Sequence, residues 1–330
     1  MVLLSIIIPA YNSERYIGPC LCSCFAMQKR CGLTEDECEV IVVDDGSTDA
    51  TPSLLETKQR QHANLRVFHQ KNQGQSVARN LAIEQAQGRY IYMVDSDDTL
   101  TDDCQLPIED IKEGIFDIIG LQVLFQTEKG KVRPWSHQME RWPFDKEYRS
   151  GADFVRNHNI EGLVYGYLFR RELFVKYPAL RFTPGIYHQD EELIFKIFTL
   201  AGKTIYRRGY TYLYYEHAGS SINTKTAERK RKLLQDDIVI LHNLLAWRNE
   251  HQLEPVMHYK LSYLAMDVLR YLIRNHYDEE SCRTAMNSLK EMGLYPLPWI
   301  AEMKYLAMKL LTQSPSMVTW LAQQRMGAKG

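Results

Sequence analysis

The sequence predicts an α/β fold in which a mostly parallel central sheet is flanked by helices. Apolar runs rich in β-branched and aromatic residues alternate with helical patterns along the amino-terminal part of the chain. These runs are Val2–Ile8, Glu39–Val43, Leu65–Phe68 and Tyr90–Val94. Both faces of a parallel sheet are covered, so its strands lose the alternation of apolar and polar residues. An alternation of such strands with helices predicts parallel pairing through right-handed crossovers.

The helices between these runs have recognisable start and stop residues. Ser13 is expected to cap the first helix, and Thr51–Pro52 is expected to begin the second. The third helix is predicted over Ser76–Gln87 after the loop Lys71–Gly74, and Gly88 would end it. The sheet is therefore expected to form from consecutive strand–helix units.

Composition and charge argue against several classes of protein. The 330 residues carry 40 basic and 41 acidic side chains, so the chain has no overall field for capturing nucleic acid. No apolar run is long enough to span a bilayer, and the first residues lack the basic region of a signal peptide. The expected location is therefore the cytoplasm. The seven cysteines include no C-x-x-C pair, which favours reduced thiols over a zinc site.

An acidic run, Asp95-Ser96-Asp97-Asp98, follows the last of the four predicted strands. Three carboxylates so close together repel one another, and a bound Mg²⁺ or Mn²⁺ would relieve that repulsion. The alternative is a polar loop in which Asp98 caps a following helix. The polar residues that follow the neighbouring strands favour the interpretation as a metal site.

Polar residues also follow the first two predicted strands, namely Tyr11 and Asn12 after the first and Asp44 and Asp45 after the second. The carboxyl ends of parallel strands meet at one edge of the sheet, where open α/β sheets bind ligands. A tyrosine ring can stack on a base, and a carboxylate at Asp45 can accept the N3–H of uracil. These residues predict a nucleoside-diphosphate site, and the chain has neither a P-loop lysine nor a dinucleotide glycine fingerprint.

Four segments in this order resemble the motif set of family 2 glycosyltransferases. The segments are Ile8–Asn12, Val42–Asp49, Gly74 with Ala78-Arg79-Asn80, and Asp95–Asp98. The resemblance runs through about the first hundred residues and resumes around 162–222. It implies the GT-A fold, with a Rossmann-like nucleotide-binding sheet, and transfer of a sugar from a nucleotide donor with inversion.

The resemblance also implies which residues hold the nucleotide sugar. They are Pro9, Ala10, Tyr11, Asn12, Glu14, Asp45, Gly74, Arg79, Asp95, Ser96 and Asp97. Asp95 and Asp97 would be the metal-binding pair for Mn²⁺ or Mg²⁺, with Asp97 the direct ligand. Arg79 would position the donor or form a structural ion pair. His217 would contact the diphosphate, complete the metal shell or serve a structural role.

The catalytic base is expected at the start of a later helix, in the run Gln189-Asp190-Glu191-Glu192. Acids in a helix's first turn are favoured by the helix dipole, which is the simpler explanation. The resemblance instead implies that Asp190 is the base, although Gln189 replaces the family's usual glutamate. Glu191 is the alternative base. A raised pKa from neighbouring carboxylates and partial burial would suit this role.

The rest of the chain is less informative. Trp135 and Trp142 fall in a polar loop over 127–149 and are expected to be exposed, either stacking on sugar rings or holding the loop to the protein. The predicted domains are a catalytic domain over 1–222, with halves 1–103 and 104–222, and a helical region over 223–330. These helices would cover the catalytic domain or form a homo-oligomer contact. The segment Trp299–Gly330 would pack on the preceding helices or lie peripherally on an anionic membrane surface.

The function predicted from the sequence is metal-dependent, inverting transfer of a sugar, most simply from a uridine-diphosphate donor. The acceptor would be a hydroxyl of a glycan or a lipid-linked intermediate in cell-surface polysaccharide synthesis. A sugar-1-phosphate nucleotidyltransferase is one alternative, but the first strand end lacks its glycine-rich, basic signature. A catalytically inactive sugar-nucleotide-binding subunit is another, although Asp95, Asp97 and Asp190 are all present.

Overall fold

The computed structural model describes residues 1–320 apart from 138, 159, 161, 218–225, 276, 300–302 and 319. The chain forms two compact units. The first comprises Met1–Gly185 and Gln189–Asn223, and the second comprises Ile186–His188 and Thr224–Gly330. The predicted domain boundary at 222–223 lies outside the described residues.

The first unit is built on one mixed sheet flanked by helices, which confirms the predicted α/β class. Its strands are β1 (Leu4–Ala10), β2 (Cys38–Asp44), β3 (Leu65–His69), β4 (Tyr90–Met93), β5 (Thr99–Leu100), β6 (Ile118–Gln126), β7 (Val132–Pro134), β8 (Glu147–Tyr148), β9 (Tyr167–Arg170) and β10 (Thr204–Tyr215). Its helices are α1 (Ile17–Arg30), α2 (Thr51–Gln61), α3 (Gln75–Gln85), α4 (Ile108–Glu113), α5 (Gly151–Asn157), α6 (Arg171–Lys176) and α7 (Gln189–Leu200). Single 3₁₀ turns occur at Met139–Arg141 and Val164–Gly166.

Strand pairing brings several carboxyl ends to one edge of the sheet. The strand order is β3-β2-β1-β4-β9-β6-β10-β5, with β7 paired to β6 and β8 paired to β10. Strands β1 to β4 pair in parallel, and β9 is antiparallel to both β4 and β6. Because β6 and β10 pair in parallel, they run in the same direction as β4. The carboxyl ends of β1, β2, β4, β6 and β10 therefore share one edge.

The central strands form the core of this unit. Every residue of β1, β2 and β4 is buried, as the unbroken apolar runs predicted. Helix α3 packs on β1 and β2, and α1 packs on β5. This rigid packing fixes the positions of the loops that leave the strand ends.

Three local expectations are wrong. Helix α1 begins at Ile17, and the Oγ of Ser13 lies 2.8 Å from the Oγ of Ser96 instead of capping the helix. Helix α3 ends at Gln85 rather than at Gly88. A Cβ at Gly88 would lie 2.5 Å from the backbone nitrogen of Ser5, so this glycine permits close approach to β1. The loop predicted over 127–149 contains β7 and β8.

The second unit is helical, as predicted. Its helices are α8 (Ala227–Glu250), α9 (Glu254–Arg274), α10 (Glu279–Glu291) and α11 (Met303–Leu311). Thr226 and Asp278 cap α8 and α10 through their side chains. Among the described residues, no helix is both long and apolar enough to cross a bilayer.

The last described segment has a packed side and an exposed side. Tyr305 and Val318 are fully buried, and α11 packs on α9. Leu310, Leu311 and Trp320 are exposed. The segment was expected either to pack on the preceding helices or to lie on a membrane surface. Packing on the preceding helices therefore accounts for part of its apolar surface.

Candidate active site

A cavity of about 540 Å³ lies at the shared edge of the sheet. Nine residues predicted from the sequence line it: Pro9, Ala10, Tyr11, Asn12, Asp45, Gly74, Ser96, Asp97 and His217. Five further residues complete the lining: Ser13, Tyr16, Asn72, Gln75 and Ala78. The predicted convergence of strand ends therefore forms a real concavity of a size suited to a nucleotide-sized ligand.

Asp45 shapes one end of the cavity. Its Oδ1 accepts the N–H of Gln73 at 2.8 Å and the Nε2 of Gln70 at 2.7 Å, and its Oδ2 accepts the N–H of Gly74 at 2.8 Å. Gly74 adopts a φ of 91°, which glycine allows without strain. The buried carboxylate thus holds the turn that precedes α3 against the end of β2.

Two neighbouring residues complete this end. Asn12 adopts a φ of 48°, and its Oδ1 accepts the N–H of Thr48 at 2.8 Å, which joins the loops after β1 and β2. Asparagine tolerates this left-handed conformation better than most residues. Tyr11 is 49% exposed, so its ring is accessible for stacking. Glu14 does not line the cavity, and its Oε2 accepts the N–H of Ala50 at 3.0 Å.

Arg79 and Asp95 form an ion pair just behind the cavity. The Arg79 guanidinium is 3% exposed and also lies over the Phe182 ring at 5.1 Å. Burial alone would lower the pKa of Arg79, but the carboxylates of Asp95 and Asp190 outweigh that effect and raise it. Gln75 donates to the same Asp95 oxygen at 3.3 Å. Of the two roles considered for Arg79, the structural ion pair is therefore present.

Asp97 and His217 face the cavity together. The Oδ2 of Asp97 lies 2.9 Å from the Nε2 of His217, and the His217 ring stacks on Tyr16 with centroids 4.9 Å apart. Carboxylate oxygens suit Mg²⁺ and Mn²⁺, and an imidazole nitrogen is a common ligand of transition metals, so this pair fits a divalent cation. Within the described part of the chain, no group of three histidine, cysteine or acidic side chains forms a metal site. The chain would thus supply two ligands, and substrate oxygens and water would supply the others.

Asp98 is turned away from the cavity and is buried. Its Oδ2 accepts the Tyr212 hydroxyl at 2.6 Å, and its Oδ1 accepts the N–H of Tyr215 at 2.8 Å. The Tyr212 oxygen also accepts the N–H of Asp95 at 3.1 Å. Burial raises the pKa of Asp98, and the charges of Asp97 and Asp95 raise it further. The interpretation of Asp98 as a helix cap is therefore wrong, because its partners lie on β10.

Asp190 lies in the first turn of α7, where its Oδ1 accepts the N–H of Glu191 at 3.0 Å. Burial is the main cause of the raised pKa of Tyr165, and the charge of Asp190 contributes to it and to the raised pKa of Arg79. Both groups lie beside the acids that follow β4. Gln189 donates to the Oε1 of Gln75 at 3.3 Å, which connects α7 to the cavity lining.

The other two acids of this turn differ in their surroundings. A Cβ added at Gly162 would lie 2.8 Å from the Cα of Glu191, so the backbone at Gly162 packs closely against the first turn of α7. Glu192 is buried and bonds to Thr183 and Lys196. Glu192 therefore has a structural role within the unit.

The two tryptophans of the 127–149 segment have different environments. Trp142 is 4% exposed and lies 5.1 Å from both Phe154 and Tyr206. The expectation that Trp142 is exposed is therefore wrong, and it holds this segment to the core. Trp135 is half-buried and contacts rings at the carboxyl ends of β6 and β10.

Some lining residues were not predicted to be part of the site. Ser13 was expected only as a helix cap, and Tyr16 and Gln75 have no distinctive sequence signal. Ala78 belongs to the third motif segment but was not predicted to line the site. Tyr16 contacts His217 across about two hundred positions of sequence, a proximity that no local pattern encodes. Only the tertiary fold brings these residues together.

Comparisons with known proteins agree with this fold. Residues 5–177 match the family model described as Glycosyl transferase family 2. The glycosyltransferase GlyG of Streptococcus pneumoniae is 28% identical over 231 residues, which cover 68% of this chain and 74% of GlyG. TarS of Staphylococcus aureus, named a poly(ribitol-phosphate) β-N-acetylglucosaminyltransferase, is 43% identical over 100 residues, which cover 30% of this chain but 17% of TarS.

A solved structure extends the comparison to the whole chain. The crystal structure of TarS residues 1–349 in complex with UDP-GlcNAc has a TM-score of 0.59 at 20% identity, covering 99% of this chain and 92% of that one. At this identity the likeness shows the fold, and it confirms the GT-A architecture. The match to the family model spans more than half of the chain, from β1 to the residue after α6. The chain therefore belongs to glycosyl transferase family 2 and is a transferase with the GT-A fold.

Proposed function

We propose that this protein transfers a sugar from a uridine-diphosphate donor to an acceptor hydroxyl with inversion. The observation that carries the proposal is that one cavity is lined both by Tyr11 and Asp45 and by Asp97 with His217. The first pair suits a uracil ring and the second suits a metal-bound diphosphate. A fold shared with a TarS fragment crystallised with UDP-GlcNAc supports the choice of a uridine nucleotide.

Asp97 and His217 are the residues that would hold a divalent metal, Mn²⁺ or Mg²⁺. When bound, the metal would neutralise charge that develops on the departing diphosphate. Asp95 would act less directly, because Arg79 and Gln75 already engage its carboxylate. The Arg79–Asp95 pair would then keep the acidic loop in position behind the cavity.

Asp190 is the proposed general base. It would take the proton of the acceptor hydroxyl while that oxygen attacks the anomeric carbon on the face opposite the diphosphate. The bond from the anomeric carbon to the phosphate oxygen would break with its electron pair, and UDP would leave. We prefer Asp190 to Glu191 because the charge of Asp190 reaches Arg79 and Tyr165, which lie beside the acids that follow β4.

Calorimetric titration with UDP, with Mn²⁺ or with a chelator present, tests the donor site. Wild type should bind UDP more tightly with Mn²⁺, and Asp97→Ala should lose that difference. Asp103→Ala is the matched control, since Asp103 is exposed and lies six positions further along. Asp97→Ala binding UDP with the full Mn²⁺ effect would contradict the metal role.

Further features of the function remain predictions. They are a glycan or lipid-linked acceptor in cell-surface polysaccharide synthesis, a cytoplasmic location, a homo-oligomer and peripheral binding to an anionic membrane. The exposed Leu310, Leu311 and Trp320 would provide the membrane contact. Co-sedimentation with anionic vesicles checks this last prediction, and equal recovery with neutral vesicles would contradict it.

A further inference from the structure

Five aromatic side chains form a continuous cluster beside the cavity, which we call the aromatic wall. Its members are Phe125, Trp135, Tyr165, Tyr212 and Tyr214. Phe125 on β6 pairs in register with Tyr214 on β10, so both lie near the carboxyl ends of these strands. The wall therefore stands on the same edge of the sheet as the acidic loop after β4.

The rings of the wall are packed in a regular way. Tyr165 stacks on Tyr212 with centroids 4.3 Å apart, and Phe125 stacks on Tyr214 at 5.6 Å with an angle of 13°. Tyr165 also lies 6.2 Å from Tyr214, which joins the two pairs. Trp135 crosses Phe125, Tyr165 and Tyr214 at angles of 66°, 76° and 77°. The wall is thus a preorganised surface rather than a set of separate side chains.

Burial decreases along the wall away from the acids. Tyr212 and Tyr165 are buried, whereas Tyr214, Phe125 and Trp135 are half-buried. At the buried end, the Tyr212 hydroxyl bonds to Asp98. Tyr165 is close enough to Asp190 for that carboxylate to contribute to its raised pKa, although burial is the main cause. The wall therefore starts beside the acids and the proposed base and reaches the surface at Trp135.

We propose that the aromatic wall is the acceptor subsite, and that it binds a pyranose ring of a carbohydrate acceptor. This inference rests on the proposed function, because it assigns the substrate of the same site. A pyranose presents a face of C–H bonds that packs on an aromatic ring, and its hydroxyls remain in water at a half-buried surface. Aromatic rings give such contact with little loss of side-chain entropy, since each has two rotatable bonds.

The neighbouring residues favour a sugar over a polyol phosphate. Among the described residues, Arg133 lies over the Phe125 ring at 4.5 Å, and its guanidinium donates to the carbonyl oxygens of Pro134 and Trp135. A chain of phosphodiesters would call for a row of cations along its path, whereas the described part of this surface is mainly aromatic. Trp142, seven positions after Trp135, is buried in the core and makes no part of this surface.

Saturation-transfer NMR tests the proposal with the 330-residue chain, UDP and Mg²⁺. The probes are the methyl pyranosides of glucose, galactose, mannose and N-acetylglucosamine, with ribitol 5-phosphate as the contrasting ligand. Added UDP occupies the nucleotide part of the donor site, and the Trp135 variants distinguish binding at the aromatic wall from binding in the place of the donor sugar. At least one pyranoside should receive saturation on its ring C–H protons, and ribitol 5-phosphate should receive less.

Variants locate the binding. Trp135→Ala should weaken pyranoside binding about tenfold, while Trp135→Phe, which keeps a ring, should lose less. Trp320→Ala removes an exposed tryptophan of the second unit and is the matched control. UDP affinity should be unchanged in all three variants, which also verifies folding.

The outcomes separate this inference from the proposed function. Equal pyranoside binding by wild type and Trp135→Ala would overturn the inference, as would preferential binding of ribitol 5-phosphate. UDP binding by wild type without any pyranoside signal would also overturn it and leave the donor site standing. A wild-type protein that does not bind UDP would instead refute the proposed function.

Discussion

Removing one buried hydroxyl, by Tyr212→Phe, tests whether the acidic loop is held from β10. The Tyr212 hydroxyl donates to the Oδ2 of Asp98 at 2.6 Å, and its oxygen accepts the N–H of Asp95 at 3.1 Å. Phenylalanine keeps the ring and its stacking on Tyr165 but removes both hydrogen bonds. The change therefore isolates the hydrogen-bonded connection.

The expected cost follows from these two bonds. A hydrogen bond to a charged group contributes about 1.5–3 kcal/mol, and a buried group left without a partner adds about 1–3 kcal/mol. Since some relaxation is expected, we predict a loss of about 2–4 kcal/mol in the free energy of unfolding. For a unit of this size, that corresponds to a decrease in Tm of about 4–16 °C. Thermal denaturation of the variant measures it.

Donor binding should change as well. Asp98 also accepts the N–H of Tyr215, two residues before His217, so loosening Asp98 should disturb the Asp97–His217 pair. Calorimetry should show weaker Mn²⁺-dependent UDP binding by Tyr212→Phe.

Tyr210→Phe is the matched control on the same strand. The Tyr210 hydroxyl donates to Glu140 at 2.7 Å, and the residue is half-buried, so water can replace the bond at a cost of about 1 kcal/mol or less. If both variants lose equal stability and both bind UDP as wild type does, the β10 connection does not support the site.

Two further predictions concern the 139–158 region. Trp142→Ala should lower the free energy of unfolding by about 3–5 kcal/mol, because it removes a buried ring; denaturant unfolding with no shift in midpoint would contradict the packing described. Burial and, to a smaller extent, Lys146 lower the pKa of His158, so the unfolded state binds more protons between that lowered pKa and about 6.5. The free energy of unfolding should therefore decrease as the pH falls through this interval, by at most about 1.4 kcal/mol per pH unit. The variant His158→Gln should lack this pH-dependent contribution when its Tm is measured across the same interval.

The sequence was sufficient for the parallel strands β1 to β4 and for the convergence of the residues that follow β1, β2 and β4. Apolar runs without alternation predict buried parallel strands, and parallel strands carry their following loops to one edge. Tyr11, Asp45 and Asp97 could be placed together on that argument alone. The antiparallel direction of β9 inside the sheet was not predicted, because pairing direction depends on the path of the whole chain.

Side-chain partners far apart in sequence were not predictable. Asp98 bonds to Tyr212, 114 positions away, whereas its local sequence suggested a helix cap. Trp135 and Trp142 have similar polar surroundings in the sequence, but only Trp142 is buried. Glu14 follows the first motif closely, and its carboxylate accepts the N–H of Ala50, so its place in the donor site stays a prediction. Each outcome depends on distances that only the assembled fold sets.

The measurement that tests the central claim most directly is donor turnover and UDP binding by Asp190→Asn. Asparagine keeps the size and the Oδ1 acceptor for the Glu191 N–H but cannot take a proton. We predict UDP affinity equal to wild type and a loss of transfer of about 10²- to 10⁴-fold, the usual contribution of a general base. Wild-type turnover by Asp190→Asn, with UDP bound normally, would contradict the assignment of Asp190 as the base.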